Sequence, residues 1–440
     1  MKRRYWLILL VNSFILAGCW QSAPPMPDDV EKLFEINSAS VEEAKKCCVA
    51  NDEDGAELAA AKARAAYKKL KKLGQKGERM IKAQTAYRIA DSFAERTYEK
   101  RRYKSILAGW KASGYKKARK AALVVVFKGL GLAADQAAKG RLDVLPEKVR
   151  SKTKLAADLV EKAGGPKRKP DGEPDWPAIS EQCFAFSKKP PPTLSVILAL
   201  GLTIAGKGDL ALVELHDVDL QELQGEKRDI ARIVKAVSMV DAKLEQLAED
   251  EFDGLHKGAD GEKGLDPQIR GGLHVFVAGL YIKKLRFLEA DKALARAVRA
   301  CPNNSVVVYL TGERLAARGE YEKATKSLEK AAAGTKQKWL AKQIQERMRQ
   351  LRDNPQQMKP MVFDGKFVYR LAKAFLDDPS MKSKVGKQLS DWMSLARRLR
   401  DEMWQQLPNR DSIEKKGQSL WKRLPSRESI TKKITELSKP

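Results

Sequence analysis

Residues 278–302 read AGLYIKKLRFLEADKALARAVRACP, and residues 312–336 read GERLAARGEYEKATKSLEKAAAGTK. At a shift of 34 residues, Tyr281, Phe287, Ala290, Leu294, Ala297 and Pro302 fall on Leu315, Tyr321, Ala324, Leu328, Ala331 and Lys336. Ala278 falls on Gly312. Within each copy the apolar positions recur three and four apart, the period of a helix with one buried face. Small residues at Ala278/Gly312 and Ala290/Ala324 allow two helices to approach closely, and the aromatic at Phe287/Tyr321 wedges between them. Gly319 stands just past the first helix of the second copy, where a left-handed backbone ends a helix. A unit of this length is one helical hairpin, and repeated hairpins bury their apolar faces against each other.

These residues and their period resemble the tetratricopeptide repeat. Leu285 replaces the turn glycine of the first copy, and Lys336 replaces the closing proline of the second. A third, weaker copy is expected from Leu194, where Gly201 and Gly208 keep the spacing of Gly312 and Gly319, although Val213 and Asp217 fit the small and apolar positions poorly. The resemblance covers residues 271–338, with 194–227 as the weaker part. It implies an α-solenoid whose curved face is free to hold a partner peptide or protein.

Outward from the repeat the patterning stays helical, so the expected fold is all-α, with TPR-like helix-turn-helix repeats flanked by further N- and C-terminal helical regions. Met80, Ala83, Tyr87, Ala90, Ala94 and Tyr98 form one apolar stripe, and Ala121 to Phe127 read as a buried helix. Phe363, Phe367, Leu371 and Phe375 form another stripe, as do Leu389, Trp392, Ala396, Leu399 and Met403. Gly and Pro cluster between 164 and 192 and again in a Gly-rich loop at 252–267, both loop compositions. The expected organisation is a signal segment at 1–18, a tether at 19–29 and a basic helical domain at 30–165. A linker at 166–193, repeats at 194–353 and C-terminal helices at 354–440 complete it.

The chain opens with Lys2, Arg3 and Arg4, an apolar run from Tyr5 to Leu16, and then Ala17-Gly18-Cys19. The run is shorter than the ~20 apolar residues a bilayer span needs, and it reads as a signal peptide. No second run is expected to cross a membrane. Ala17-Gly18-Cys19 resembles the lipobox of bacterial lipoproteins. That resemblance implies cleavage before Cys19, acylation of Cys19 (palmitate among the chains) and anchoring by lipid. Trp20 is not the aspartate that retains many such proteins at the inner membrane, so the expected location is the outer membrane, periplasmic face. Removing the signal lowers the net charge from +27 to +24 as Lys2, Arg3 and Arg4 leave. Cys47, Cys48, Cys183 and Cys301 remain, and bridges from the adjacent pair to the other two stand open beside buried free thiols.

Charge concentrates in residues 62–154, with 27 Lys/Arg against 7 Asp/Glu. Tyrosines and Trp110 are interleaved with it, a composition that suits nucleic acid in a cytosolic protein. Export argues against nucleic acid and points to anionic lipid, lipopolysaccharide or an acidic protein face, with Lys68, Lys69, Lys71 and Lys72 as candidate contacts. Catalytic and metal motifs are missing. His216, His256 and His274 are isolated, Asp253, Asp260 and Asp266 lack calcium-loop spacing, and Asn51 to Gly55 read as a helix N-cap region. No cofactor, metal or catalytic residue is expected. The sequence points to a non-enzymatic scaffold for an envelope protein or peptide. The alternative is a cell-envelope enzyme acting on peptidoglycan, with the repeats as an accessory.

Overall fold

The structure is a computed structural model that describes residues 26–219, 221–223, 225–259, 266–283, 287–354 and 365–423. Among these residues all regular structure is helical, eighteen helices with no strand. The chain divides into two units, one of Met1–Ala108 with Gln418–Pro440 and the other of Gly109–Gly417.

The first unit contains α1 (Val30–Ala50), α2 (Glu53–Lys72) and most of α3 (Glu78–Ala112). Asp29 starts α1 by accepting from the N–H groups of Glu31 and Lys32. Asn51, at φ 57°, ends it, and Asp52 starts α2 by accepting from the Gly55 N–H. Asn51 to Gly55 is therefore the helix boundary expected. Its core is built from small residues: Ala44, Ala56, Ala59, Ala60, Ala63, Ala90 and Ala94 pack together, fully or almost fully buried. Side chains this short bring helix backbones close, and Asn37 uses the proximity to donate to the Ala63 carbonyl at 2.9 Å. A second cluster holds Leu33, Ala66, Leu70 and Ala83, with Met26, Phe34 and Met80 against it. The stripe from Met80 to Tyr98 is the packed face of α3.

The second unit begins with α4 (Tyr115–Ala138), α5 (Glu147–Lys162), α6 (Trp176–Lys188), α7 (Pro192–Ile204) and α8 (Gly208–His216). Then come α9 (Glu226–Asp241), α10 (Glu245–Ala259), α11 (Pro267–Lys283), α12 (Phe287–Ala300), α13 (Ser305–Ala317), α14 (Tyr321–Gly334) and α15 (Lys338–Asp353). It closes with α16 (Gly365–Leu376), α17 (Lys384–Gln406) and the greater part of α18 (Arg410–Trp421). Helices α11 and α12 pack as a pair, as do α13 and α14, and α15 packs on α14. Asp378 ties this stack to the C-terminal helices, accepting from the Ser305 N–H at 3.0 Å and Oγ at 2.7 Å.

Several expectations need correction. The stretch 166–193 is not loop alone. Asp175 caps α6, Pro177 sits in its first turn, and α6 packs on α4, so chain on both sides of the proline-rich stretch belongs to one unit. The loop expected at 252–267 is helix α10 as far as Ala259. In the weaker repeat Gly206, at φ 69°, makes the left-handed turn instead of Gly208, which opens α8. Gly201 packs against α17, where an added Cβ would lie 2.3 Å from the Ala396 carbonyl oxygen. Helix α4 is, by length and composition, long and apolar enough to cross a membrane, and half of its apolar window is buried inside the structure. Lys128 is the one charge from Ala121 to Ala134, which gives α4 that composition. Its outer face also carries Val125 and Leu132, both more than half exposed, so the run is not buried all round.

Candidate functional site

Helices α12 and α13 face each other across an open cleft of about 420 Å³. Asp291, Leu294, Ala295, Val298 and Arg299 come from α12, one stripe three and four residues apart. Thr311, Arg314, Leu315 and Arg318 form the matching stripe on α13. The floor is apolar, with Leu294 buried and Val298 40 % exposed. Cations dominate the rim. Arg314 is buried and donates to Asp291 at 2.8 Å, and Arg318 lies 3.7 Å from the same carboxylate. Arg318 also pairs with Glu320 at 3.0 Å. Lys323, which donates to Glu320, and the neighbouring arginines hold that carboxyl below the usual range. Three arginines against Asp291 and the adjoining Glu320 leave the cleft net positive above an apolar floor, a combination suited to an extended segment with acidic side chains.

The predicted repeat positions fall around this cleft. Ala278, Ala290, Ala297, Ala324 and Ala331 are fully buried, and Leu328 nearly so. Gly312 lies where a Cβ would meet Leu328 at 2.9 Å and the Ala324 carbonyl at 3.4 Å, so its lack of a side chain sets the α13–α14 approach. Gly319 has φ 81° and makes the left-handed turn expected after the helix, while Tyr281 and Tyr321 are half-buried and Pro302 is exposed. Leu294 and Leu315, expected as packing residues, line the cleft. The charged members of the cleft were not singled out by the sequence, although their i, i+3/i+4 spacing was available. Cys19, Leu285, Asp260, Phe363, Pro425 and the side chain of Phe287 lie outside the described residues.

The basic candidates divide. Lys68, Lys71 and Lys72 are exposed, whereas Lys69 donates to the Met26 carbonyl at 2.5 Å and pairs with Asp28 at 2.7 Å. Among the described residues Cys47, Cys48, Cys183 and Cys301 are all free thiols, and no group of three or more His, Cys, Asp or Glu side chains could hold a metal. His274 is buried within α11.

A small cavity of about 70 Å³ lies among α7, α9, α11, α16 and α17, walled by residues such as Leu200, Ile233, Leu273, Phe276, Phe375 and Met393. Among the described residues no carboxylate or histidine lines it. Two buried carboxylates stand on α8, where Trp110 donates to Asp209 at 3.0 Å and Tyr115 to Glu214 at 2.9 Å. Arg119 stands 3.2 Å from Glu214. Burial pushes both carboxyls up, offset for Glu214 by Arg119 and for Asp209 by its hydrogen bonds. Both acids are closed in and bonded to the protein, which suits an internal clasp of α8 to the end of α3 and the start of α4. No protein family, curated protein or solved structure matches this chain.

Proposed function

We propose that the protein is a lipid-anchored envelope scaffold that holds an acidic segment of a partner protein in the α12–α13 cleft. The observation that carries the reading is that cleft: an apolar floor of Leu294, Ala295, Val298 and Leu315 under Arg299, Arg314 and Arg318. The paired helices α11/α12 and α13/α14, with Gly312 and Ala324 at a close approach, support a tetratricopeptide-like stack. Helix α15 follows at the same period, since Glu313 of α13 and Arg347 of α15 are 34 residues apart. In such a stack each hairpin buries its core against its neighbour and leaves one surface free. The anchor is acylated Cys19, placing the body at the periplasmic face of the outer membrane.

The test compares proteins retained from detergent-solubilised envelope by the wild-type chain, by Arg299→Glu/Arg318→Glu and by Val298→Asp. All three altered side chains are substantially exposed. A partner kept by the wild type and lost from both variants, at unchanged thermal stability, is the expected result. Equal retention by all three proteins would overturn the cleft as the binding site. Mass spectrometry of the mature N-terminal peptide tests the anchor, and an unmodified Cys19 would defeat it.

A further inference from the structure

In the first unit, the start of the described chain meets a cationic turn. Met26 packs on the cluster of Leu33, Ala66, Leu70 and Ala83, beside the end of α2 and the beginning of α3. Lys69 fixes it there through the Met26 carbonyl and Asp28. Arg79 of α3 pairs with Glu31 of α1 at 2.6 Å and lies over the Phe34 ring at 4.2 Å. The turn between α2 and α3 and its flanks present Lys68, Lys71, Lys72 and Lys76 to solvent, and none of them has an acidic partner among the described residues. In the same stretch Leu73 is 42 % and Ile81 60 % exposed. The nearby acids are committed: Asp28 to Lys69, Glu31 to Arg79, Glu78 to Lys82, and Asp29 to the first N–H groups of α1.

We infer that this turn, Lys68 to Ile81, is the surface by which the protein lies against an anionic phospholipid bilayer. Lysines without partners meet headgroup charge, and the two exposed apolar side chains enter the interfacial layer between them. The geometry rests on the proposed reading of Cys19 as the lipidated residue. Cys19 precedes Met26 by seven residues, a reach of at most ~25 Å when fully extended. The anchor and the turn therefore meet the same membrane. A polybasic patch beside a lipid supplies a second attachment signal, and it also orients the body. Lys69 takes no part, because its ammonium group is engaged with the start of the chain.

The test uses the chain from residue 19 onward carrying Cys19→Ala, so that no lipid contributes. It is sedimented with vesicles of phosphatidylethanolamine and phosphatidylglycerol, and with vesicles of phosphatidylcholine alone. Binding to the charged vesicles is expected at low salt and falls steeply as the Debye length shrinks toward ~8 Å at physiological ionic strength. Lys68→Glu/Lys71→Glu/Lys72→Glu/Lys76→Glu weakens it at least tenfold. Leu73→Ser/Ile81→Ser weakens it several-fold and leaves the salt dependence unchanged. An equal charge change elsewhere, Lys326→Glu/Lys330→Glu/Lys336→Glu/Lys338→Glu, retains most of the binding. Equal loss in the two fourfold reversals would assign binding to net charge and overturn the proposal, as would a starting chain that ignores charged vesicles. An unmodified Cys19 in the mature protein would remove the anchor but leave these vesicle results standing, so the two readings fail separately.

Discussion

Glu313 and Arg347 are 34 residues apart, one period of the internal repeat, and form a two-pronged ion pair inside the second unit. Arg347 Nε donates to one carboxylate oxygen at 2.7 Å and Nη2 to the other at 2.6 Å. Both side chains are less than a tenth exposed. The pair joins α13 to α15 at a place where a lone charge has no water to turn to. Removing one partner therefore costs far more than the pair itself contributes. Glu313→Ala is expected to destabilise by ~3–5 kcal/mol, read by urea unfolding. Glu313→Leu/Arg347→Met, which removes both charges, recovers much of that loss. A double variant no better than the single would show that packing, and not the stranded guanidinium, sets the cost.

Two glycines in helix interiors make opposite predictions. Gly201 faces the α17 backbone at a distance that no Cβ tolerates, so Gly201→Ala forces α7 away from α17 despite its better helix propensity. A loss of ~1–3 kcal/mol is expected. Gly129, within α4, has nothing within 4 Å of an added Cβ. Gly129→Ala is expected to stabilise by ~0.5–1 kcal/mol. Differential scanning calorimetry separates them, and melting temperatures shifted in the same direction would refute the account.

Burial raises the Asp209 carboxyl above the ordinary aspartate value, so the folded protein binds its proton more tightly than the unfolded chain does. Folding stability from this residue is greatest below the unfolded pKa. It declines as pH rises through the folded value, because the folded state holds more protons in that window. Asp209→Asn keeps an oxygen for the Trp110 N–H without the charge. The variant should match the wild type below about pH 4, gain on it as pH rises from the ordinary carboxyl range to the folded value, and keep a constant lead above that. Unfolding measured across pH checks this, and a difference constant with pH would rule it out.

Burial pushes the Cys183 thiol up to about 12. Burial, followed by the carboxylates of Asp266 and Asp378, raises Cys301 to about 11. At neutral pH neither is a thiolate, the species that reacts. In the folded Cys19→Ala chain, thiol-specific reagents should leave both unmodified until denaturant is added. Rapid labelling of Cys183 in the native protein would contradict its burial.

Much of the helical pattern was legible because its signals are local. The stripe from Met80 to Tyr98 and the small residues at Gly312 and Ala324 lie in one helix or in consecutive ones, and their spacing alone reports a buried face. The stretch 166–193 shows how the same rules mislead. Proline both ends helices and begins them, and composition did not distinguish a break from the first turns of α6 and α7, where Pro177 and Pro192 stand. The arginines of the cleft did not stand out, because nothing in the sequence says which exposed stripes face each other.

Helical character, the starts and stops of several helices and the apolar face of each are written in the order of residues. Those properties depend on residues within four positions of one another, through backbone hydrogen bonds, caps and side-chain period. The partners of those faces are set by the folded chain as a whole. Gly201 meets Ala396, Trp110 meets Asp209 and Ser305 is capped by Asp378, pairings whose members lie far apart in the chain. An apolar stripe accepts any surface of matching shape. Which surface it receives follows from packing all the helices together at once, and the cleft between α12 and α13 is what that packing left open.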